Sequence, residues 1–136
     1  MLTLTEIFSI ILIHWFADFI MQDEKWALGK SKNWSDLLLH TVTYSFIWLV
    51  IGYIIGFLKQ NQTESINYLI ASFWFFLITF IAHTITDYFT SRIVKRKFER
   101  KEYGTSIPNT GAFTVIGIDQ VLHYIQLFTT YYYLKQ

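Results

Sequence analysis

The chain has 136 residues, of which 53% are hydrophobic, 20% aromatic and only 15% charged, with a formal net charge of +1. That balance departs from a soluble domain in the direction of lipid, and the near-zero net charge points to no acidic or basic partner. With no cysteine in the chain, disulfides, thiolate metal sites, iron–sulfur clusters and cysteine nucleophiles are excluded, so any metal must be held by nitrogen and oxygen.

Twenty-odd apolar residues span a bilayer at ~1.5 Å of rise each. Four stretches qualify, at about 2–22, 37–58, 67–91 and 111–134, and they predict one all-α, polytopic membrane domain with four transmembrane helices. Met1–Glu6 lacks a basic leader and no small-residue cleavage site follows, so the first helix is expected to stay. It carries His14 and Asp18, with Gln22 one turn further on. Loop 23–36 holds Lys25, Lys30 and Lys32 together with Trp26 and Trp34, and the second helix brings Asp36 and His40. Lys59 and an Asn61-Gln62-Thr63 glycosylation pattern of little specificity follow.

The third helix carries His83 and Asp87. Loop 92–110 contains Arg92, Lys95, Arg96, Lys97, Arg100 and Lys101 with no breaker before Gly104, so this helix can run on into the cytosol. Pro108 and Gly111 mark a turn before the fourth helix, which holds Asp119, Gln120 and His123 and ends on Tyr131, Tyr132 and Tyr133, where an interfacial aromatic belt is expected. Nine of the eleven basic residues lie in the two loops 23–36 and 92–110. Positive residues stay in the cytoplasm, so both loops are expected inside and both termini outside. One basic run does not make a nucleic-acid surface.

Every histidine has an aspartate four residues away, as His14/Asp18, Asp36/His40, His83/Asp87 and Asp119/His123, and these use four of the five aspartates. At that spacing both side chains share one helix face. His14 and His83 are 69 residues apart, as are Asp18 and Asp87, and each HxxxD helix is followed by a DxxxH helix. Two hairpins related as parallel repeats about an axis along the membrane normal would produce this order. Asp18 and Asp87 then lie ~6 Å in from the cytoplasmic ends of their helices and the histidines ~12 Å in, which gives an intramembrane His/Asp layer.

An aspartate at a helix centre costs ~2.5–3.5 kcal/mol on insertion scales, and an interhelical hydrogen bond returns only ~0.6 kcal/mol on average. Protonation, an aqueous cavity or bound cations must make up the difference. One or two divalent ions suit the donor set, with Zn, Mn or Fe as candidates, and the four histidines with Asp18, Asp36, Asp87 and Asp119 are the candidate metal residues. Asp18, Asp87 and Asp119 are candidate catalytic groups, and Gln22, Gln120, Lys30 and Arg96 candidate substrate contacts. Interhelical glue is the plain structural alternative. No GxSxG, P-loop or HExxH occurs.

The segments HWFADFIMQ (14–22), the lysine-bearing loop 25–32, His40, HTITD (83–87) and DQVLH (119–123) resemble a small bacterial and phage membrane family labelled domain of unknown function 3307, over most of the chain. The resemblance implies a bacterial inner-membrane location and supplies no activity. HxxxD within apolar sequence is also similar, at the level of that motif, to membrane-bound metal-dependent hydrolases. The leading expectation is therefore a metal-dependent hydrolase of a lipid-like phosphoester or ester at the cytoplasmic leaflet, with basic residues of loop 92–110 receiving an anionic headgroup. Membrane lipids are its expected surroundings. The alternatives are a proton- or divalent-cation-linked transporter or channel, for which a homo-oligomer could build the pore, bis-histidine haem binding, and a non-catalytic regulatory role.

Overall fold

A computed structural model describes residues 1–58, 62–104 and 109–135; Lys59, Asn61 and Pro108 lie outside them. The described residues form helices and no strand: α1 (Leu4–Trp15), α2 (Glu24–Gly29), α3 (Trp34–Phe57), α4 (Gln62–Glu99) and α5 (Ala112–Leu134), with a π-helical turn over Phe16–Ile20 that continues α1. α3 and α4 (over Thr63–Glu99) are long and apolar enough to cross a membrane.

Local chemistry sets the ends. Thr3 caps α1 in a reciprocal box: its side chain accepts from the Glu6 N–H, and the Glu6 carboxylate accepts from the Thr3 N–H at 2.8 Å. The expected helix over 2–22 does not continue as regular α-helix. At Phe16 the carbonyl accepts from Met21, five residues on, at 3.0 Å, the bonding of a π-turn. The segment 23–36, expected as a loop, contains α2, whose start is capped by Asp23 accepting from the Lys25 N–H at 2.8 Å. α3 begins at Trp34, three residues earlier than expected, because Asn33 is already extended (φ −118°, ψ 139°) and serves as its N-cap.

α4 has 38 residues, about 57 Å at the usual rise. It extends past the expected 67–91 at both ends, and on the basic side it reaches Glu99 before Lys101 (φ 58°) and Gly104 (φ 81°) turn the chain. The first two amides of α5 donate back across that turn, Ala112 to Glu102 at 2.7 Å and Phe113 to Tyr103 at 3.0 Å, so donors that a helix start leaves open are satisfied by the chain leaving α4.

α3 packs along α4, α5 packs along α4, α1 leans on α5, and the π-turn rests on α3. Ile10, Ala17, Tyr44, Trp48, Phe75 and Leu127 form an apolar core. Among the described residues fourteen buried side chains are polar or charged and nine are hydrophobic, while Phe8, Leu12, Phe46, Ile54, Phe73, Ile85, Phe89 and Ile125 stand exposed with many others. That inverts the ordinary arrangement of a soluble domain.

Candidate functional site

His14, His40, His83 and His123 are all buried, each with at most 1% exposure, and Asp18 and Asp87 are buried among them. The four histidines come from α1, α3, α4 and α5, one from each. Helical spacing delivers them: His83, Asp87 and Thr90 share a face of α4, as His40 and Tyr44 do on α3. Asp18 reaches the group from the π-turn, whose widened step takes it off the face an α-helix would give it.

The closest cluster is formed by His40 and His83 with Asp18 and Asp87. The Nε2 atoms of His40 and His83 are 3.2 Å apart. His40 Nε2 lies 3.2 Å from Asp18 Oδ1 and 3.1 Å from Asp87 Oδ2, and His83 Nε2 lies 3.6 Å from each of these oxygens. Donors ~2.0–2.1 Å from a tetrahedral ion stand ~3.3–3.4 Å from one another. The five separations, 3.1–3.6 Å, bracket that value. Asp18 Oδ1 is buried without a hydrogen-bond partner despite these near neighbours. Two donor groups suited to a metal ion occur among the described residues, Asp18/His40/His83 and His83/Asp87/His123.

His83 belongs to both groups, and the Asp87 carboxylate spans them. Its Oδ2 faces His40 and His83, and its Oδ1 lies 3.3 Å from His123 Nε2. His123 also stands 3.4 Å from Asp119 Oδ1, which accepts from the Thr90 hydroxyl at 2.6 Å. The rings of Tyr44, His83 and His123 stack in sequence at 4.0 and 4.1 Å.

Lys30 enters from the C-terminal end of α2. Its ammonium donates to Asp87 Oδ2 at 2.7 Å and lies 3.4 Å from His40 Nε2. Burial pushes this ammonium down, but the Asp87 and Asp18 carboxylates outweigh it, and its pKa is raised above the ordinary lysine value.

His14 is held differently. Gln120 Oε1 can only accept, so His14 Nε2 donates to it at 2.9 Å, and the Tyr44 hydroxyl donates to His14 Nδ1 at 2.7 Å. The Gln120 amide donates to Asp119 Oδ2 at 3.2 Å and to Asp18 Oδ2 at 3.4 Å. Both His14 nitrogens are thus used inside the protein, whereas Nδ1 of His40 and of His83 is buried without a partner. Asp36 stands apart: it accepts from the Asn33 side chain at 2.9 Å and abuts Gly29, at the junction of α2 and α3.

A cavity of about 610 Å³ opens beside the cluster, lined by Asp18, Gln22, Lys30, Lys32, Asp119 and Gln120 with apolar side chains including Phe19 and Phe98. Gln22 Oε1 and Ser91 Oγ, also buried without partners, belong to residues of this wall. Arg96 is exposed on α4 and does not line it. Sequence reasoning missed Tyr44 and Thr90. Their signals were present, since Tyr44 follows His40 by four residues and Thr90 follows His83 by seven.

A family model described as Protein of unknown function (DUF3307) matches residues 7–136. No curated protein and no solved structure matches the chain.

Proposed function

Since the chain belongs to the DUF3307 family, whose description carries no activity, we propose from the site itself that it is a metal-dependent hydrolase of the cytoplasmic membrane leaflet, acting on an anionic, lipid-like phosphoester or ester. The observation that carries this reading is the close grouping of His40 Nε2 and His83 Nε2, 3.2 Å apart, with Asp18 Oδ1 and Asp87 Oδ2 each within 3.1–3.6 Å of both. Two imidazoles and two carboxylates at that spacing favour Zn, with Mn or Fe also compatible with the donor types. His123, reached through the second oxygen of Asp87, is the candidate ligand of a second ion together with His83 and Asp87. The ion would polarise the scissile oxygen and lower the pKa of water toward ~7. Asp119 lines the cavity and lies outside the tight donor set, so it is the general base in this reading. Lys32 and Lys95 in the same wall receive the anionic headgroup, and Phe19, Leu28 and Phe98 line space for the start of an acyl chain.

Four transmembrane helices in two parallel repeats complete the reading. The inverted burial supports lipid contact all round, and matched distances support the duplication. Asp18–His40 and Asp87–His123 measure 3.2 and 3.3 Å, and the His40–His83 and His14–His123 ring pairs are both tilted by 46° at 5.3 and 5.6 Å. On this topology the termini face outward and the two basic loops lie in the cytoplasm of a bacterial cell.

The test combines elemental analysis with turnover. Protein purified on a non-histidine tag is expected to carry one or two equivalents of Zn, Mn or Fe, lost together with activity in His40→Ala/His83→Ala. Asp18→Asn is expected to insert normally and to lose turnover on a phospholipid-like ester panel. Full metal content in the double-histidine variant sinks the proposal.

One observation favours transport as a second reading. A further cavity of about 730 Å³, lined by Glu6, Ile10, Trp48, Glu64, Phe75 and Lys135 among others, lies toward the opposite end of the helices, and Trp48 leads through Tyr44 to His83 by ring contacts at 6.4 and 4.0 Å. Cavities on both sides of a charged layer suit alternating access. Zn²⁺ or proton flux into sealed vesicles that disappears in His83→Ala would select this reading over hydrolysis.

A further inference from the structure

We propose that Lys30 is the specificity-determining residue of the centre: a tethered monovalent cation that occupies the donor cluster and yields only to a divalent ion. The inference rests on the metal-site reading and adds to it what fills the cluster beforehand and what selects the ion that enters.

Three observations converge. First, the ammonium contacts two of the four cluster atoms, Asp87 Oδ2 at 2.7 Å and His40 Nε2 at 3.4 Å. A metal ion held by Asp87 Oδ2 and His40 Nε2 needs the lone pairs that Lys30 faces, and its charge repels the ammonium at close range in a site from which most solvent is excluded. Second, counted over the cluster's own two carboxylates, charge favours exchange over co-occupancy; Asp119 is held outside the cluster by Thr90 and Gln120. Asp18 and Asp87 carry two negative charges. With Lys30 the group is left at −1, with Lys30 and a divalent ion at +1, and with the divalent ion alone at zero. Neutrality is favoured where burial penalises net charge. A free monovalent ion replacing Lys30 leaves the same −1, so it gains nothing in charge over a cation already tethered to the chain.

Third, the structure gives Lys30 somewhere to go. It sits at the end of α2, a six-residue helix, and its side chain, 20% exposed, lines the cavity of about 610 Å³ that runs past Ser31, Lys32 and Glu99. A change of side-chain rotamer moves the ammonium from the cluster into that cavity. Because Lys30 ties α2 to α4 through Asp87, its release also removes one of the contacts that hold α2 down. Gly29, the residue before Lys30, stays packed against Asp36 and keeps that end of α2 attached to α3. Entry of the ion is thereby coupled to loosening of residues 24–32.

The experiment measures Zn²⁺ affinity of the full-length protein in detergent, with Co²⁺ absorption as a second probe, for wild type, Lys30→Met and Lys30→Arg, alongside amide exchange of residues 24–32. Lys30→Met is expected to bind Zn²⁺ about 10-fold or more tightly than wild type, within the usual range of coupling between two ligands, and Lys30→Arg no more tightly than wild type. Without metal the thermal midpoint of Lys30→Met should fall below that of wild type, and Zn²⁺ should restore it. In wild type, Zn²⁺ should speed exchange across 24–32. If Lys30→Met does not fold, the wild-type exchange result decides alone. Equal or weaker Zn²⁺ binding by a folded Lys30→Met, or unchanged exchange in metal-loaded wild type, overturns the proposal and leaves the metal site standing. Zn²⁺ binding by none of the three proteins overturns the metal reading and this inference with it.

Discussion

His14 and His83 hold matching places in the duplicated pattern, yet their environments differ by two substitutions. In the half that surrounds His14, Tyr44 and Gln120 saturate both ring nitrogens; at the matching positions of the other half the chain has Leu127 and Leu37, and His83 Nδ1 is left without a partner. Polar residues at two positions therefore occupy both ring nitrogens of one histidine, and their absence leaves Nδ1 of the other unpartnered. Gln120→Leu is expected to release Asp18 and His14 together, lowering metal affinity without removing any donor of the tight cluster; equal affinity in the variant would show that Gln120 positions nothing. Gly29 poses a steric case. A Cβ there would overlap the Asp36 carboxylate, so Gly29→Ala should cost about 1–3 kcal/mol, as overpacking does, and an unchanged thermal midpoint would refute the close packing of α2 on α3. The four-residue spacing made the histidines and the carboxylates Asp18, Asp87 and Asp119 legible as one group. It could not separate Asp36 from them, because spacing assigns a residue to a face and not to the neighbour that face meets.

Secondary structure was legible where apolar length decides it and obscure where hydrogen-bond geometry does. The long runs that became α3, α4 and α5 are visible in the sequence to within a few residues, and α4 keeps its helix through charged residues as far as Glu99, the continuation expected from the absence of a breaker before Gly104. Nothing in Phe16-Ala17-Asp18-Phe19-Ile20 announces a π-turn, since no glycine or proline interrupts it. That turn aims Asp18 at His40 and His83. Deleting Phe19, an exposed residue within the turn, should return the segment to regular α-helix, keep helical content by circular dichroism, and abolish metal binding. Retention of full metal occupancy would mean that Asp18 is not a ligand.

The packing order of the helices was beyond the sequence, because contacts between helices depend on shape complementarity that residue patterns do not encode. The orientation expected from the charge distribution yields a direct test. Single cysteines placed at Lys32 and at Arg100 of this cysteine-free chain should resist a membrane-impermeant thiol reagent in intact cells, while cysteines at Thr3 and Lys135 should react; the reverse labelling would invert the proposed topology. Only α3 and α4 (over Thr63–Glu99) among the described helices are apolar enough to cross a membrane by themselves, and this has a consequence for how the protein is made. The hairpin of α3 and α4 can leave the translocon on its own, whereas α1 and α5 depend on it for company in lipid. Because α5 follows the other helices and delivers Gln120 and His123, the donor group His83/Asp87/His123 and the Gln120 bridge to Asp18 do not exist until that helix is in place. In the proposed metal reading, loading of a second ion is then a late step of biogenesis, available only to chains in which α5 has already joined the bundle.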